Sequence, residues 1–212
     1  MEGVQTNSRV YGGRSTEQRR AERRRQLIDA AIEIWGEQGW SAVTMRGVCA
    51  KAGLIDRYFY ESFPEREALL VAVWDQMGDE LIAKLVAVIT GAVQNPIAQL
   101  RAAIATLVHD VAANPARARI LFGEHTGNDA LERRHIDALQ QVTDLLIQFG
   151  RPFFRPGADE NGLRMSTLIG IGGFVELIKA WRAGVVDVPA EGIIDHAAEV
   201  GAVLAARYLI HQ

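Results

Sequence analysis

Apolar residues recur at helical spacing along almost the whole chain, in blocks separated by glycine, proline and capping residues. In the first block Leu27, Ala31 and Ile34 line one face, a capping box begins at Ser15, and Gly39 ends the run. No alternating strand pattern occurs, so the predicted fold class is all-α with about nine helices. Their predicted bounds are 17–38, 45–51, 56–62, 65–91, 96–113, 115–125, 128–150, 160–183 and 189–210.

The second and third helices are short and flank a tight turn. Thr44 is a good N-cap for the second helix, and Ala52-Gly53-Leu54 breaks it before the third begins. Two short helices joined by a glycine turn, with a first helix as platform, indicate a helix-turn-helix. The predicted organisation is a disordered basic arm (1–15), a three-helix DNA-binding domain (16–66) and a larger ligand-binding and dimerisation domain (67–212), with the fourth helix linking the domains.

Charge is distributed unevenly over the 212 residues, whose net charge is −3. Residues 1–66 carry 11 basic and 9 acidic side chains, whereas residues 67–212 carry 12 and 17. Seven arginines lie between positions 9 and 25. A basic head on an acidic body favours contact with a polyanion, although a solvated tail would have the same composition.

The single cysteine, Cys49, excludes an internal disulfide framework. No apolar run approaches the ~20 residues of a membrane span, and the N-terminus lacks a secretory signal pattern. We therefore expect a cytoplasmic protein with no membrane partner.

The third helix has the composition of a recognition helix, with one face for packing and one for DNA. Phe59 and Phe63 suit the packed face, and Arg57 can pair with the two acceptors of guanine. Tyrosine hydroxyls and the start of the second helix suit phosphate. The predicted DNA contacts are Thr44, Arg46, Ile55, Asp56, Arg57, Tyr58, Tyr60, Ser62 and Arg66.

The segment from Thr44 to Leu70, TMRGVCAKAGLIDRYFYESFPEREALL, resembles the N-terminal domain of TetR-family (TetR/AcrR) transcriptional regulators. The shared features are the threonine that opens the second helix, the small-Gly-apolar turn, the Tyr-x-x-Phe of the third helix and the Arg-Glu-x-Leu-Leu start of the fourth. Four positions depart from the residues that are common in the family: Ile55, Arg57, Tyr58 and Ser62. A serine cap is common at the position of Ile55, and Asp56 could cap the helix instead. Arg57, Tyr58 and Ser62 lie on the reading face. These departures leave the operator sequence open.

The resemblance implies a ligand-responsive repressor that binds a palindromic operator as a homodimer and is released by an unknown small-molecule effector. It also implies dimerisation through the last two helices, whose apolar residues lie on more than one face. The predicted pocket residues are Trp74, Met77, Leu107, Phe122, Phe149, Met165, Phe174 and Ile178. The predicted dimer residues are Ile171, Phe174, Ile178, Ile194, Ala197, Val200, Leu204 and Tyr208.

Neither metal-ligand spacing nor a nucleophile with a paired base is evident. We therefore expect no metal, no cofactor, no catalytic residues and no enzymatic activity. An alternative remains open, a helical adaptor or small-molecule-binding protein whose head has lost DNA binding. The effector, the regulated genes and repression as opposed to activation are not determined by the sequence.

Overall fold

The computed structural model describes residues 15–91, 95–123 and 125–210. Nine α-helices lie in these ranges, which confirms the predicted all-α class. They are α1 (Thr16–Gln38), α2 (Met45–Ala52), α3 (Asp56–Ser62), α4 (Arg66–Gly91), α5 (Pro96–Ala113), α6 (Pro115–Phe122), α7 (Asp129–Gly150), α8 (Glu160–Arg182) and α9 (Ala190–Ala206). Apart from Ser15, the predicted basic arm lies outside the described residues. None of the described helices combines the length and apolarity that a membrane crossing requires.

The chain divides into two compact units, one ending at Trp74 and the other beginning at Asp75, so that the division falls within α4. In the first unit α1 packs against α2 and α3. A reciprocal capping box starts α1, in which the Gln18 N–H donates to Ser15 Oγ and the Ser15 N–H donates to Gln18 Oε1.

The core of the first unit is apolar and closely packed. Its fully buried residues include Leu27, Ala31, Trp35, Val43, Val48, Phe59, Phe63, Leu69, Leu70 and Val73. The thiol of Cys49 is also buried there; burial and, secondarily, the Asp56 carboxylate raise its pKa. It therefore packs as a small apolar side chain.

In the second unit α5 packs along α9 and α7 along α8. One core cluster consists of Val108, Val111, Ala118, Ile178, Ile193 and Ile194. Asparagine side chains cap three of the helices: Asn95 for α5, Asn114 for α6 and Asn128 for α7. Each accepts from a backbone N–H of the first turn, which satisfies donors that otherwise have no helical partner.

A buried arginine ties α6 to its neighbours in the second unit. Arg117 is 4% exposed; its Nη1 donates to the Met77 carbonyl at 2.8 Å and its Nη2 to Glu80 at 2.7 Å. Its Nε lies 2.9 Å from Asp110 Oδ2, so the two groups form an ion pair, although the angles at these two atoms do not meet those of a hydrogen bond. Asp110 also pairs with Lys84. The buried guanidinium is thus neutralised on two sides, as burial of a charge requires.

Two helices end three or more residues earlier than predicted. α6 stops at Phe122 because Gly123 leaves the helix at a point where a Cβ would lie 2.2 Å from the Arg119 carbonyl oxygen. α9 stops at Ala206 because the following residues pair with another segment: Arg155 N–H donates to Tyr208 O and Ile210 N–H to Phe153 O, each at 2.9 Å. Tertiary pairing ends the helix there, although the apolar pattern continues.

Candidate DNA-binding surface

The helix-turn-helix is built from local capping and one left-handed glycine. Thr44 Oγ1 accepts from the Gly47 N–H at 3.1 Å and starts α2. Gly53 ends it at φ 66° and ψ 30°, a conformation that favours glycine. The Leu54 N–H then donates to the Cys49 carbonyl at 2.9 Å, which closes the turn.

Asp56 does not cap α3, contrary to one sequence-based expectation. Ile55 occupies the N-cap position in an extended conformation, with no side-chain hydrogen bond. Asp56 is the first helical residue instead, where a carboxylate interacts favourably with the positive end of the helix dipole.

Most of the predicted DNA contacts are exposed and lie on α2 and α3 or at their N-caps. Phe59 and Phe63 are 1% and 2% exposed, which fits their expected place in the core. By contrast, 79% of the Arg57 side chain is exposed. Tyr58 and Ser62 are half-buried, whereas the exposed members are Thr44, Arg46, Ile55, Asp56, Arg57 and Tyr60.

Three arginines of α1 hold the C-terminal end of α3, a role that sequence reasoning missed. Arg20 Nη2 donates to the Glu61 carbonyl at 2.6 Å, and Arg24 Nη1 donates to the Ser62 carbonyl at 3.1 Å. Arg23 pairs with the Glu61 carboxylate at 3.3 Å. Arg20 and Arg24 thus satisfy carbonyls that lack a helical partner at the end of α3. The spacing of the three arginines, three and four residues apart on one helix face, is the only signal in the sequence.

The same arginines lie over aromatic rings. The Arg23 guanidinium is 4.3 Å from the centre of the Tyr58 ring, and that of Arg24 is 4.2 Å from the centre of the Phe63 ring. Both distances are in the range of cation–π attraction. Part of the Tyr58 surface is therefore occupied by α1, which explains why this predicted contact is only half-exposed.

Arg66 was predicted to contact the DNA backbone, but its donors are used within the protein. Nε donates to the Val43 carbonyl and Nη2 to the Trp40 carbonyl at 2.6 Å, and Nη1 pairs with Glu67 at 3.3 Å. These bonds join the start of α4 to the short 3-10 helix Trp40–Ala42. We therefore assign Arg66 to positioning of that segment and remove it from the candidate surface.

The predicted pocket residues do not form one group. Leu107, Phe122, Phe174 and Ile178 belong to a single apolar cluster of the second unit. Met77 is buried and Phe149 half-buried in the same unit, whereas Trp74 is buried in the first unit. Met165 is 60% exposed, so it cannot line an interior site. A separate shallow groove of the second unit contains none of the eight: it is lined by Asn95, Pro96, Ile97, Pro152, Phe153, Leu209 and Ile210.

The predicted dimer residues also need correction. Ile178, Ile194 and Tyr208 are each at most 1% exposed and belong to the interior of their own subunit. Ile171, Phe174, Ala197 and Leu204 are half-buried, and Val200 is 45% exposed. Of the predicted residues only Val200 is among the exposed apolar side chains of α8 and α9, and the others are Met165, Leu168, Ile169 and Val203.

Residues 27–73 match a family model described as "Bacterial regulatory proteins, tetR family". The chain therefore carries the N-terminal domain of the TetR family. It is therefore a DNA-binding transcriptional regulator and not an enzyme. The match covers the second half of α1, the whole helix-turn-helix and the start of α4, so that the candidate surface lies entirely within it.

Solved structures of transcriptional regulators share the fold over nearly the whole chain. The fatty acid degradation regulator FadR from Bacillus halodurans is 18% identical, with a TM-score of 0.70 over 86% of this chain and 94% of its own. FadR from Bacillus subtilis, in complex with stearoyl-CoA, is 19% identical, with a TM-score of 0.68 over 88% and 99%. A transcriptional regulator from Rhodococcus sp. is 15% identical, with a TM-score of 0.71 over 89% and 99%. No curated protein matches the chain.

Proposed function

We propose that this TetR-family regulator is a ligand-responsive repressor that binds a palindromic operator as a homodimer and leaves it when a small-molecule effector binds. The observation that carries the proposal is the exposed side of α2 and α3 within the family match. It presents Arg46, Arg57 and Tyr60 to solvent while Phe59 and Phe63 anchor the helix below.

The side chains of this surface suit different parts of DNA. Arg57 is the candidate for base contact, because its guanidinium matches the paired acceptors of guanine in the major groove. Thr44, Arg46 and Tyr60 suit phosphate, and contacts of that kind fix the register without reading sequence. The arginines of α1 support this arrangement by holding the end of α3.

The homodimer is supported by the exposed apolar side chains of α8 and α9. Ile169 is 66% and Val203 75% exposed, and a Cβ added at Gly172 or Gly173 would meet nothing within 4 Å. Small and apolar residues on neighbouring helices suit a close contact with a second copy. Two-fold symmetry would present two recognition helices to half-sites ~34–36 Å apart, which explains a palindromic operator.

For the effector we propose an apolar small molecule, with an acyl-CoA as the first class to test. The support is the apolar cluster that contains Leu107, Phe122, Phe174 and Ile178, together with the stearoyl-CoA complex of the structural neighbour from Bacillus subtilis. An effector that prefers the DNA-free conformation lowers operator affinity only by its differential affinity for the two states.

The proposal is tested by selecting bound duplexes from random DNA and measuring affinity for the selected sequence over a range of salt concentrations. We expect a palindromic sequence, a steep loss of affinity with salt, and release by stearoyl-CoA but not by coenzyme A. Arg57→Ala should cost ~1–3 kcal/mol and relax preference at one position in each half-site. A protein that selects no sequence and shows no salt-dependent binding would be the adaptor instead.

A further inference from the structure

The recognition helix α3 carries more acid than base. Its seven residues include two acidic side chains, Asp56 and Glu61, and one basic side chain, Arg57. Asp56 has a local role at the positive end of the helix, but Glu61 lies at the opposite end. A carboxylate on a helix that enters the groove is repelled by phosphates, so it weakens binding to every DNA sequence. Its place there calls for a compensating function.

The two oxygens of Glu61 have different partners. Oε1 accepts from Arg57 Nε at 2.9 Å, one helical turn away on α3, and Oε2 pairs with Arg23 Nη2 of α1 at 3.3 Å. The Arg57 side chain is 79% exposed, whereas that of Arg23 is 21% exposed and lies against Tyr58. Glu61 therefore joins a largely buried arginine of α1 to the exposed arginine of the reading face.

We propose that Glu61 is a positioning residue that determines sequence specificity by restraining Arg57. An unrestrained arginine on this surface pairs with any phosphate, which raises affinity for all DNA equally. Held along the helix by Glu61, Arg57 exchanges its partner only where guanine supplies two acceptors in the right geometry. Glu61 thus suppresses binding to the wrong sequences at some cost in total affinity.

The second partner makes this exchange feasible. When Arg57 turns to a base, Glu61 keeps its ion pair with Arg23, so that no isolated carboxylate is left in the interface. The Glu61 backbone does not move with the exchange, because Arg20 holds its carbonyl at 2.6 Å. The inference rests on the proposed function, since Arg57 must contact a base for its restraint to matter.

The decisive variant is Glu61→Gln, which keeps the shape of the side chain and an oxygen for Arg23 but removes the charge. We would measure its affinity for two duplexes of equal length: the sequence that the wild-type protein selects from random DNA, and a shuffled version. Affinity for the shuffled duplex should rise about tenfold for each added phosphate contact at ~0.1 M salt, with a steeper salt dependence. Affinity for the selected duplex should change much less, so the specificity ratio falls.

Three further variants separate restraint from simple loss of charge. Glu37→Gln makes the same charge change on α1, ~20 Å along the helix from Arg24, and should leave the ratio intact. In the Arg57→Ala background, Glu61→Gln should raise affinity for the shuffled duplex much less, because only the repulsion between the carboxylate and phosphate is then removed. Glu61→Asp keeps the charge and should leave that affinity near the wild-type value.

Other results would overturn the inference in distinct ways. A fall in affinity for the selected duplex alone would make Glu61 a direct base contact. If Glu61→Gln raises affinity for the shuffled duplex equally with and without Arg57, Glu61 acts only through its charge and does not restrain Arg57. If the wild-type protein selects no sequence at all, the proposed function fails; if it selects one and Glu61→Gln keeps its specificity ratio, only this inference fails.

Discussion

At the scale of single residues, the roles of charged side chains depend on contacts that local sequence does not reveal. Arg20 and Arg24 look like part of a DNA-binding basic segment, yet each donates to a carbonyl that is about forty residues away in sequence. Arg66 likewise turns to carbonyls at positions 40 and 43. By contrast, Phe59 and Phe63 could be assigned to the core beforehand, because large apolar side chains on a short helix have few other places.

Gly53 gives a prediction at this scale. Its φ of 66° is left-handed, and a Cβ there would meet nothing within 4 Å, so substitution brings backbone strain without a clash. Gly53→Ala should therefore lower the free energy of unfolding by ~1–2 kcal/mol in equilibrium urea unfolding.

The matched control for Gly53→Ala is Gly192→Ala in the first turn of α9, where the nearest atom, Val188 Cβ, would be at an ordinary 3.5 Å. It should be neutral or stabilise by up to ~1 kcal/mol, since alanine favours a helix. Equal losses at the two positions would show that the turn does not require the left-handed conformation.

At the scale of elements, helix starts were predictable and some helix ends were not. The start of a helix depends on neighbouring residues: Ser15, Thr44 and Asn114 cap the helices that directly follow them. The ends of α6 and α9 depend on a close backbone approach at Gly123 and on pairing of 208–210 with 153–155. Helical periodicity carries no information about such distant partners.

The segment between α6 and α7 gives a prediction about pH. His125 is 7% exposed, and its Nε2–H donates to the Ile120 carbonyl at 3.0 Å. Burial lowers its pKa, outweighing that hydrogen bond, and His135 and Lys179 lower it further. Burial, then Lys179, also lowers the pKa of His135, against the opposing effect of Glu176.

Both histidines therefore take up protons more readily in the unfolded chain than in the folded one. As pH falls below the unfolded pKa of ~6.5, the folded state loses stability, by at most ~1.4 kcal/mol per pH unit for each histidine. Urea unfolding between about pH 7.5 and about pH 5.5 should show this loss. His125→Gln, which retains an N–H for Ile120, should make it smaller. Substitution of the exposed His196 on α9 by glutamine should not make the loss smaller. Equal slopes of stability against pH in the wild type and in both variants would contradict the assignment.

At the scale of the whole molecule, periodicity predicts which helices would carry the proposed interface but not which of their faces. α8 and α9 are apolar on more than one side. The sequence pattern alone does not distinguish the side that packs within the subunit from the side that is exposed. Ile178, Ile194 and Tyr208 lie on that side, which is why their assignment to the interface was wrong. Exposure in the structure selects Ile169 and Val203 instead.

A single charge on the exposed side should break the proposed dimer. Val203 is 75% exposed on α9, and two-fold symmetry places any substitution there twice in one interface. Burying two carboxylates without partners is costly, so Val203→Glu should shift the solution mass from twice 23.3 kDa towards 23.3 kDa. The matched control is Val185→Glu, at a position that is 78% exposed and follows α8, and it should stay dimeric.

Light scattering after size exclusion measures both masses. The monomeric variant should also lose operator affinity, because each half-site would then be bound separately, whereas a Val203→Glu protein with unchanged mass would place the interface elsewhere.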